Sequence, residues 1–469
     1  MRFNTHGLAL AGRDLVPPFS VEVRLDPAQG LELSSNDVLN FQSVARVLPG
    51  RRLSGLVTLS GQTLFAKLFY GKQARRYWQR ELQGAQWLQQ SDSPSPRVVA
   101  QGATADEQGF VVLYEALRNV RALDAVDSEE FEQAVAALAT LHDADLIQDD
   151  PHVDNFVFGM RDDDHTNLWL VDADSVRRSH ILRNHFANLA QLLCQRTPRF
   201  DRHIEHMWLK YCTVRGEYVA KMGSSGELRA LTHRARQARV RRYLKKTRRE
   251  CTEFVHHQSM QTEVFCDRAH WLGLQRFMVM PETYMAQGQV LKAGNSATVV
   301  RCTIGEQQYV IKRYNIKGFW HRLRRWVKHR GLLAWRNGHW LSFLGIPTAR
   351  PVALLVERSA WLPGVSYLVM PDEGEQDLHT LLSAEPARFA GVASAVADVL
   401  LQLDSAGLSH GDLKATNFLV GDGDQPTVTL IDYDAVTVGP MDADLQRFLR
   451  NWSAPLQAQW RTALEAAGL

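Results

Sequence analysis

The chain has 469 residues, 45% hydrophobic and 22% charged, with a net charge of +3. That balance excludes a disordered, collagenous or disulfide-framed protein, and the length predicts two domains rather than one. Five well-separated cysteines (Cys194, Cys212, Cys251, Cys266, Cys302) form no CxxC pair, so no zinc site is expected and the thiols read as reduced. Arg13 and Asp14 interrupt the only apolar stretch near the start, and no run of about 18 apolar residues follows, so neither a signal peptide nor a membrane span is expected and a cytoplasmic protein is predicted.

In chain order, residues 42–70 predict short strands, the last of them LFAKLF with Lys67, and a helix follows over 72–90 with Glu81. The run FVVLYEAL predicts a further strand and 128–143 a helix. A loop then carries Asp150, His152 and Asn155, and an apolar strand ends in Asp172 and Asp174. A long basic helix over 227–256 and a connection over 257–287 follow. The same order begins again: strands over 288–314 with Lys312, a helix over 319–344, the strand VSYLVMP, and a helix over 386–406. Asp412, Lys414 and Asn417 come next, and an apolar strand then ends in Asp432 and Asp434. Three corresponding features in one order, 245, 262 and 260 residues apart (Lys67 to Lys312, Asp150 to Asp412, Asp172 to Asp432), predict duplication of one fold. The acid clusters Asp162–Asp164 and Asp422–Asp424 fall between apolar runs and read as hairpin turns.

The repeated set suits phosphoryl transfer, which needs charge neutralisation, metal ligands and an oriented hydroxyl more than covalent help. An Asp can accept the hydroxyl proton, an Asn five residues on offers a hard oxygen to Mg²⁺, and a later Asp at a strand end offers another. A lysine on a strand can hold ATP phosphates. Glycine-rich signals are weak: Gly50, Gly55 and Gly294 lie in the right places without forming GxGxxG.

His410-Gly-Asp412-Leu-Lys414-Ala-Thr-Asn417, with Ile431-Asp432 downstream, resembles the catalytic and metal-binding loops of the protein-kinase-like superfamily. Within it, the phrases GIPTARPVALL (345–355), LKAGN (291–295), REL (80–82) and KKTRRECTEF (245–254) resemble the lipopolysaccharide core kinase family, which phosphorylates Kdo or heptose sugars in Gram-negative bacteria. The resemblance implies an α+β fold of two tandem kinase-like domains. The first spans 1–256 (small lobe about 19–118, large lobe about 119–256), and the second 288–469 (small lobe about 288–372, large lobe about 373–469). It implies an ATP- and Mg²⁺-dependent kinase acting on an inner-core sugar hydroxyl at the inner face of the inner membrane. Asp150 and Asp412 are then the bases, and Asn155, Asp172, Asn417 and Asp432 the metal ligands. Lys67, Glu81, His152, Lys312 and Lys414 serve the nucleotide. A weakly catalytic scaffold and a kinase for protein or a small metabolite are the alternatives.

Each domain departs from the pattern once. Gln148 stands where the superfamily has His, and Ala334 aligns opposite Glu81, leaving Lys312 with no helix acid. On that ground the first domain is expected to be the more active. Between Glu306 and Glu357 lie ten Lys/Arg residues and no acid. Such a field attracts a phosphate-bearing glycolipid or an anionic membrane. Nucleic acid is not expected, because no groove-like array of stacking aromatics accompanies the basic runs.

Overall fold

Strand Gln62–Tyr70 alternates its side chains between two cores: Leu64, Ala66, Leu68 and Tyr70 pack on one side, Phe65 and Phe69 on the other. This period of two puts Lys67 on the side that meets helix Ala74–Gln90. The structure is a computed structural model and describes residues 1–469 apart from 27–36, 92, 162–164, 217–218, 220–222, 316–328, 360–361, 375, 422 and 424–425. It divides into two units, residues 1–196 with 202–236, and residues 197–201 with 237–469.

In the first unit, strand Phe19–Leu25 pairs with Asp37–Phe41 on one side and Val98–Thr104 on the other. The ladder then runs through Arg52–Leu59, Gln62–Tyr70 and Gly109–Glu115 back to Val98–Thr104. Six antiparallel strands therefore close on themselves, and the short strands Arg2–Phe3 and Arg46–Leu48 add to Phe19–Leu25 and Arg52–Leu59. Val21, Leu39, Leu53, Val57, Leu68 and Val111 fill the interior. Below this ring, helices Ser128–Asp143, Leu182–Leu193 and Ile204–Arg215 share a core of Phe131, Val135, Leu138, Leu189, Met207 and Tyr211. Hairpin Phe156–Met160/Thr166–Leu170 pairs across the expected acid turn, whose residues 162–164 lie outside the described residues.

The second unit is built on a seven-stranded antiparallel sheet. Its order is Phe254–Gln258, Thr262–Asp267, Ala353–Ser359, Leu362–Pro371, Gln307–Tyr314, Ala297–Ile304 and Gln289–Ala293. Residues 257–287, expected as a connection, instead supply strand pairing to this sheet and helices Arg268–Val279 and Pro281–Gln287 on one face of it. Val264, Cys266, Leu274, Phe277 and Tyr367 form that face, while Phe265, Leu354 and Leu368 pack on the other with Trp335 of helix Arg330–Phe343. Burial of both faces is what fixes the register of Thr262–Asp267. The basic helix spans Ser225–Lys246 rather than 227–256, since 254–258 is already strand. Helices Leu378–Ala384, Phe389–Ser405, Asp442–Leu449 and Ala454–Ala467 complete the unit. Hairpin Phe418–Val420/Val428–Leu430 brackets the second acid turn, whose acids also lie outside the described residues.

Candidate functional site

Each unit gathers its lysine, its loop and its strand-end acids into one place. In the first, Lys67 Nζ donates to Glu81 Oε1 at 2.6 Å and to the Val171 carbonyl at 3.1 Å, and lies 3.6 Å from Asp172 Oδ1. Glu81 is fully buried and also accepts the Tyr114 hydroxyl at 2.5 Å. Burial, with Glu81 alongside, pushes the Tyr114 phenol well up, so it stays a donor. Helix Ala74–Gln90 comes this close because Gly84 carries no side chain: a Cβ there would stand 1.9 Å from the Ala173 carbonyl oxygen.

The catalytic-type loop of this unit is a turn closed on itself. Asn155 Nδ2 donates to the Asp150 carbonyl at 2.9 Å, and His152 caps the short helix Val153–Asn155 by accepting the Asp154 N–H. The Asp150 side chain is exposed. Gln148 is fully buried, its main chain held by Asn188 at 3.3 and 2.6 Å, while both polar atoms of its side chain lack a hydrogen-bond partner among the described residues. A cavity of about 1070 Å³ opens beside Lys67, lined by Phe65, Tyr114, Glu115, Leu117 and Leu170 among others. It is large enough for a nucleotide.

The glycine positions act differently from a phosphate cradle. Gly50 takes a positive φ of 67° in its turn, and a Cβ at Gly55 would lie 2.0 Å from the Ser43 carbonyl, so strand packing alone requires that glycine. The turn instead brings Arg52 Nη1 to 3.7 Å from both Asp172 and Asp174, with Arg51 3.9 Å from Asp174. Three cations thus face Glu81, Asp172 and Asp174, whose carboxylate oxygens lie within 4.8 Å of one another, a spacing compatible with a divalent cation.

In the second unit Lys312 has acid partners after all. Its Nζ donates to Asp432 Oδ1 at 2.5 Å and lies 3.3 Å from both oxygens of Asp434. Ala334, aligned opposite Glu81, is fully buried and contributes no polar group. Burial opposes ionisation of Asp432, but Lys312 outweighs it and the carboxyl sits below its usual range. Asp432 adopts a left-handed backbone, φ 58° and ψ 45°, a strained state that tends to persist at functional sites.

Asn417 Nδ2 donates to the Asp412 carbonyl at 2.8 Å, repeating the Asn155 bond. Asp412 is gripped from both sides, by Lys414 at 2.9 Å and Arg447 at 2.8 Å. Desolvation pushes its pKa up, yet those two cations prevail and hold it below the ordinary carboxylate range. His410 is buried and sits 3.3 Å from the Ile431 carbonyl through Nε2; burial lowers its pKa, so it is neutral and braces the loop as an N–H donor. Asp434, Asp444 and Arg447, which sequence reasoning did not place in the site, are part of it. The only sequence signal for Asp434 is its repetition of Asp174.

Residues 382–469 match the phosphotransferase enzyme family, a stretch that includes His410, Asp412, Lys414, Asn417 and Asp432. No curated protein matches the chain. Among solved structures, the chain is similar to WaaP in complex with acyl carrier protein, at 17% identity, covering 42% of this chain and 89% of that one with a TM-score of 0.32. It is also similar to vaccinia related kinase 3, at 11% identity, covering 50% of this chain and 95% of that one with a TM-score of 0.28. Both scores are too low to bear on fold or substrate. The site geometry and the family match are what support a phosphotransferase. No described helix is long and apolar enough to cross a membrane.

Proposed function

We propose that the chain is an ATP-dependent phosphotransferase whose acceptor is a sugar hydroxyl of the lipopolysaccharide inner core, Kdo or heptose, met at the cytoplasmic face of the inner membrane. The observation that carries the phosphotransferase reading is the same loop closure in both units. Asn155 bonds to the Asp150 carbonyl at 2.9 Å and Asn417 to the Asp412 carbonyl at 2.8 Å, each in a unit whose lysine stands against the following Asp. Asp150 and Asp412 take the acceptor proton; Lys67 and Lys312 hold phosphate oxygens.

Each Asn spends its amide nitrogen on the loop, which leaves the amide oxygen for a hard cation beside Asp172 or Asp432. Mg²⁺ fits that donor set, and when bound it supplies neutralisation of phosphate charge. Support for the acceptor comes from the lipopolysaccharide-kinase-like phrases and from the acid-free basic window, which suits a phosphorylated glycolipid. The test is ATP consumption by the purified protein with and without core oligosaccharide. Stimulation by the oligosaccharide is expected. Basal turnover without stimulation overturns the acceptor, and no turnover with any acceptor overturns the enzyme.

A further inference from the structure

We infer that Asp434 is the positioning residue of Lys312, doing in the second unit what Glu81 does for Lys67 in the first. The inference rests on Lys312 being the phosphate-binding lysine of the proposed reaction. Its starting point is an absence in the sequence: no acid stands between Glu306 and Glu357, so helix Arg330–Phe343 has none to offer.

The two lysine environments share two kinds of partner. Each lysine stands against the first strand-end acid, Lys67 at 3.6 Å from Asp172 and Lys312 at 2.5 Å from Asp432. Each is also paired with an acid that accepts a tyrosine hydroxyl. In the first unit this is Glu81, bonded to Lys67 at 2.6 Å and Tyr114 at 2.5 Å. In the second it is Asp434, 3.3 Å from Lys312 and 2.8 Å from the Tyr314 hydroxyl. The tyrosines come from different strands, Gly109–Glu115 and the lysine strand itself, so the arrangement is reached by another route.

Asp174, the counterpart of Asp434, supports the exchange by what it does instead. It faces Arg51 and Arg52 at 3.9 and 3.7 Å, while Lys67 turns to Glu81. In the second unit, Arg330 at the start of the helix bonds Asp434 Oδ2 at 2.9 Å and fixes the carboxylate from the far side. The helix thus still contributes to holding the lysine, through a cation that orients the acid. A carboxylate fixed this way limits the swing of the ammonium, a restraint that a lysine on flexible methylenes otherwise lacks.

The test reads the lysine directly and needs no nucleotide. The full-length protein is pulse-acetylated with acetic anhydride at one fixed pH, and Lys312 modification is quantified by peptide mass spectrometry against the exposed Lys72. The rate reads how firmly the amine is held in place. Asp434→Asn is expected to speed Lys312 acetylation about three- to tenfold, and Asp434→Glu to leave it within about twofold of wild type. Arg330→Gln, which frees the carboxylate from its far-side bond, is expected to speed it by less. Lys72 is expected to react alike in all variants, which distinguishes this role from general loosening. Equal Lys312 rates in all variants, or no rescue by Asp434→Glu, overturns the inference, and the Arg330→Gln arm decides alone if Asp434→Asn does not fold. Calorimetry of the wild type with ATP and Mg²⁺ reads the functional proposal separately, so the failure of either leaves the other standing.

Discussion

Asp444 accepts the backbone N–H of His410 at 2.6 Å. The same carboxylate accepts the Gly411 N–H at 3.1 Å and the Ser409 hydroxyl at 2.8 Å, at a side chain only 3% exposed. The loop that carries Asp412 therefore hangs from the first turn of helix Asp442–Leu449. Hydrogen bonds to a buried charge contribute about 1.5–3 kcal/mol, and losing the acceptor leaves amides without a partner. Asp444→Ala should destabilise the second unit by about 3 kcal/mol and Asp444→Asn by about half as much. Denaturant midpoints at unchanged slope check this.

Nucleotide binding should depend on the strand-end acids in each unit. Asp172→Ala and Asp432→Ala each remove an oxygen donor that faces the lysine. Each is expected to weaken Mg²⁺-dependent ATP binding by about tenfold or more at its own site, with little effect of Mg²⁺ remaining there. Isothermal titration with and without Mg²⁺ separates the two contributions. Absence of binding by the wild type at millimolar ATP removes the enzymatic reading.

What is legible in the sequence is what lies close along the chain. Asp412 and Asn417 sit on one short turn, so five residues of spacing already predict their closeness. The hairpins around the acid turns are readable for the same reason. Asp434 and Asp444 reach partners 122 and 34 residues away, and only the folded register brings them there. Ring closure by Phe19–Leu25 likewise depends on pairing with Val98–Thr104, which no local pattern encodes. Thr262–Asp267 reads as a connection because its alternation is short and follows a polar turn, although its burial on both faces makes it an interior strand.

The two loops should not be equally active. The sequence-based ranking of the first unit above the second rests on Lys312 lacking an acid, and Asp432 and Asp434 supply one. The remaining differences favour the second. Asp412 is held by Lys414 and Arg447 and its loop is braced by His410, whereas Asp150 is exposed and the Gln148 side chain has no hydrogen-bond partner among the described residues. A fixed base is the better general base. Asp412→Asn is expected to lower kcat on the order of a thousandfold and Asp150→Asn by less than about tenfold. Equal losses, or the reverse order, in steady-state kinetics overturn the ranking.

Asp267 gives the second unit a pH dependence of its own. Burial pushes its carboxyl up to about 6, against the opposing pull of Arg350. The folded value exceeds the unfolded one, so the protonated acid favours the fold; that contribution is complete below about pH 4 and disappears as pH rises through 6. The loss should be about 2–3 kcal/mol. Unfolding midpoints of wild type and Asp267→Asn, compared from pH 4.5 to 7, should diverge in the variant's favour as pH rises. Parallel curves would show that Arg350 fully compensates the burial.

The basic window is only partly explained by acids from elsewhere in the unit. Lys312 meets Asp432 and Asp434, Arg313 meets Glu282, Arg330 meets Asp434 and Arg350 meets Asp267, while Arg336 lies over the Trp340 ring. Four of the ten cations are thereby neutralised across the sheet and the strand-end turn. The remainder concentrate in Lys317, Arg322, Arg324, Arg325 and Lys328, interleaved with Trp320 and Trp326, all within 316–328 and outside the described residues. We propose that this segment meets the anionic leaflet that carries the acceptor. Each cation near such a surface contributes about 1 kcal/mol, so four together alter membrane affinity on the order of a thousandfold. The attraction fades over a Debye length of about 8 Å at physiological salt, so attachment should be salt-sensitive, unlike insertion of a spanning helix. Co-sedimentation with phosphatidylglycerol-containing liposomes is expected at low salt, reduced at high salt, and lost when Arg322, Arg324, Arg325 and Lys328 are all changed to Glu. If wild type and variant sediment alike at low salt, the segment is a solvated surface and the acceptor must be reached without it.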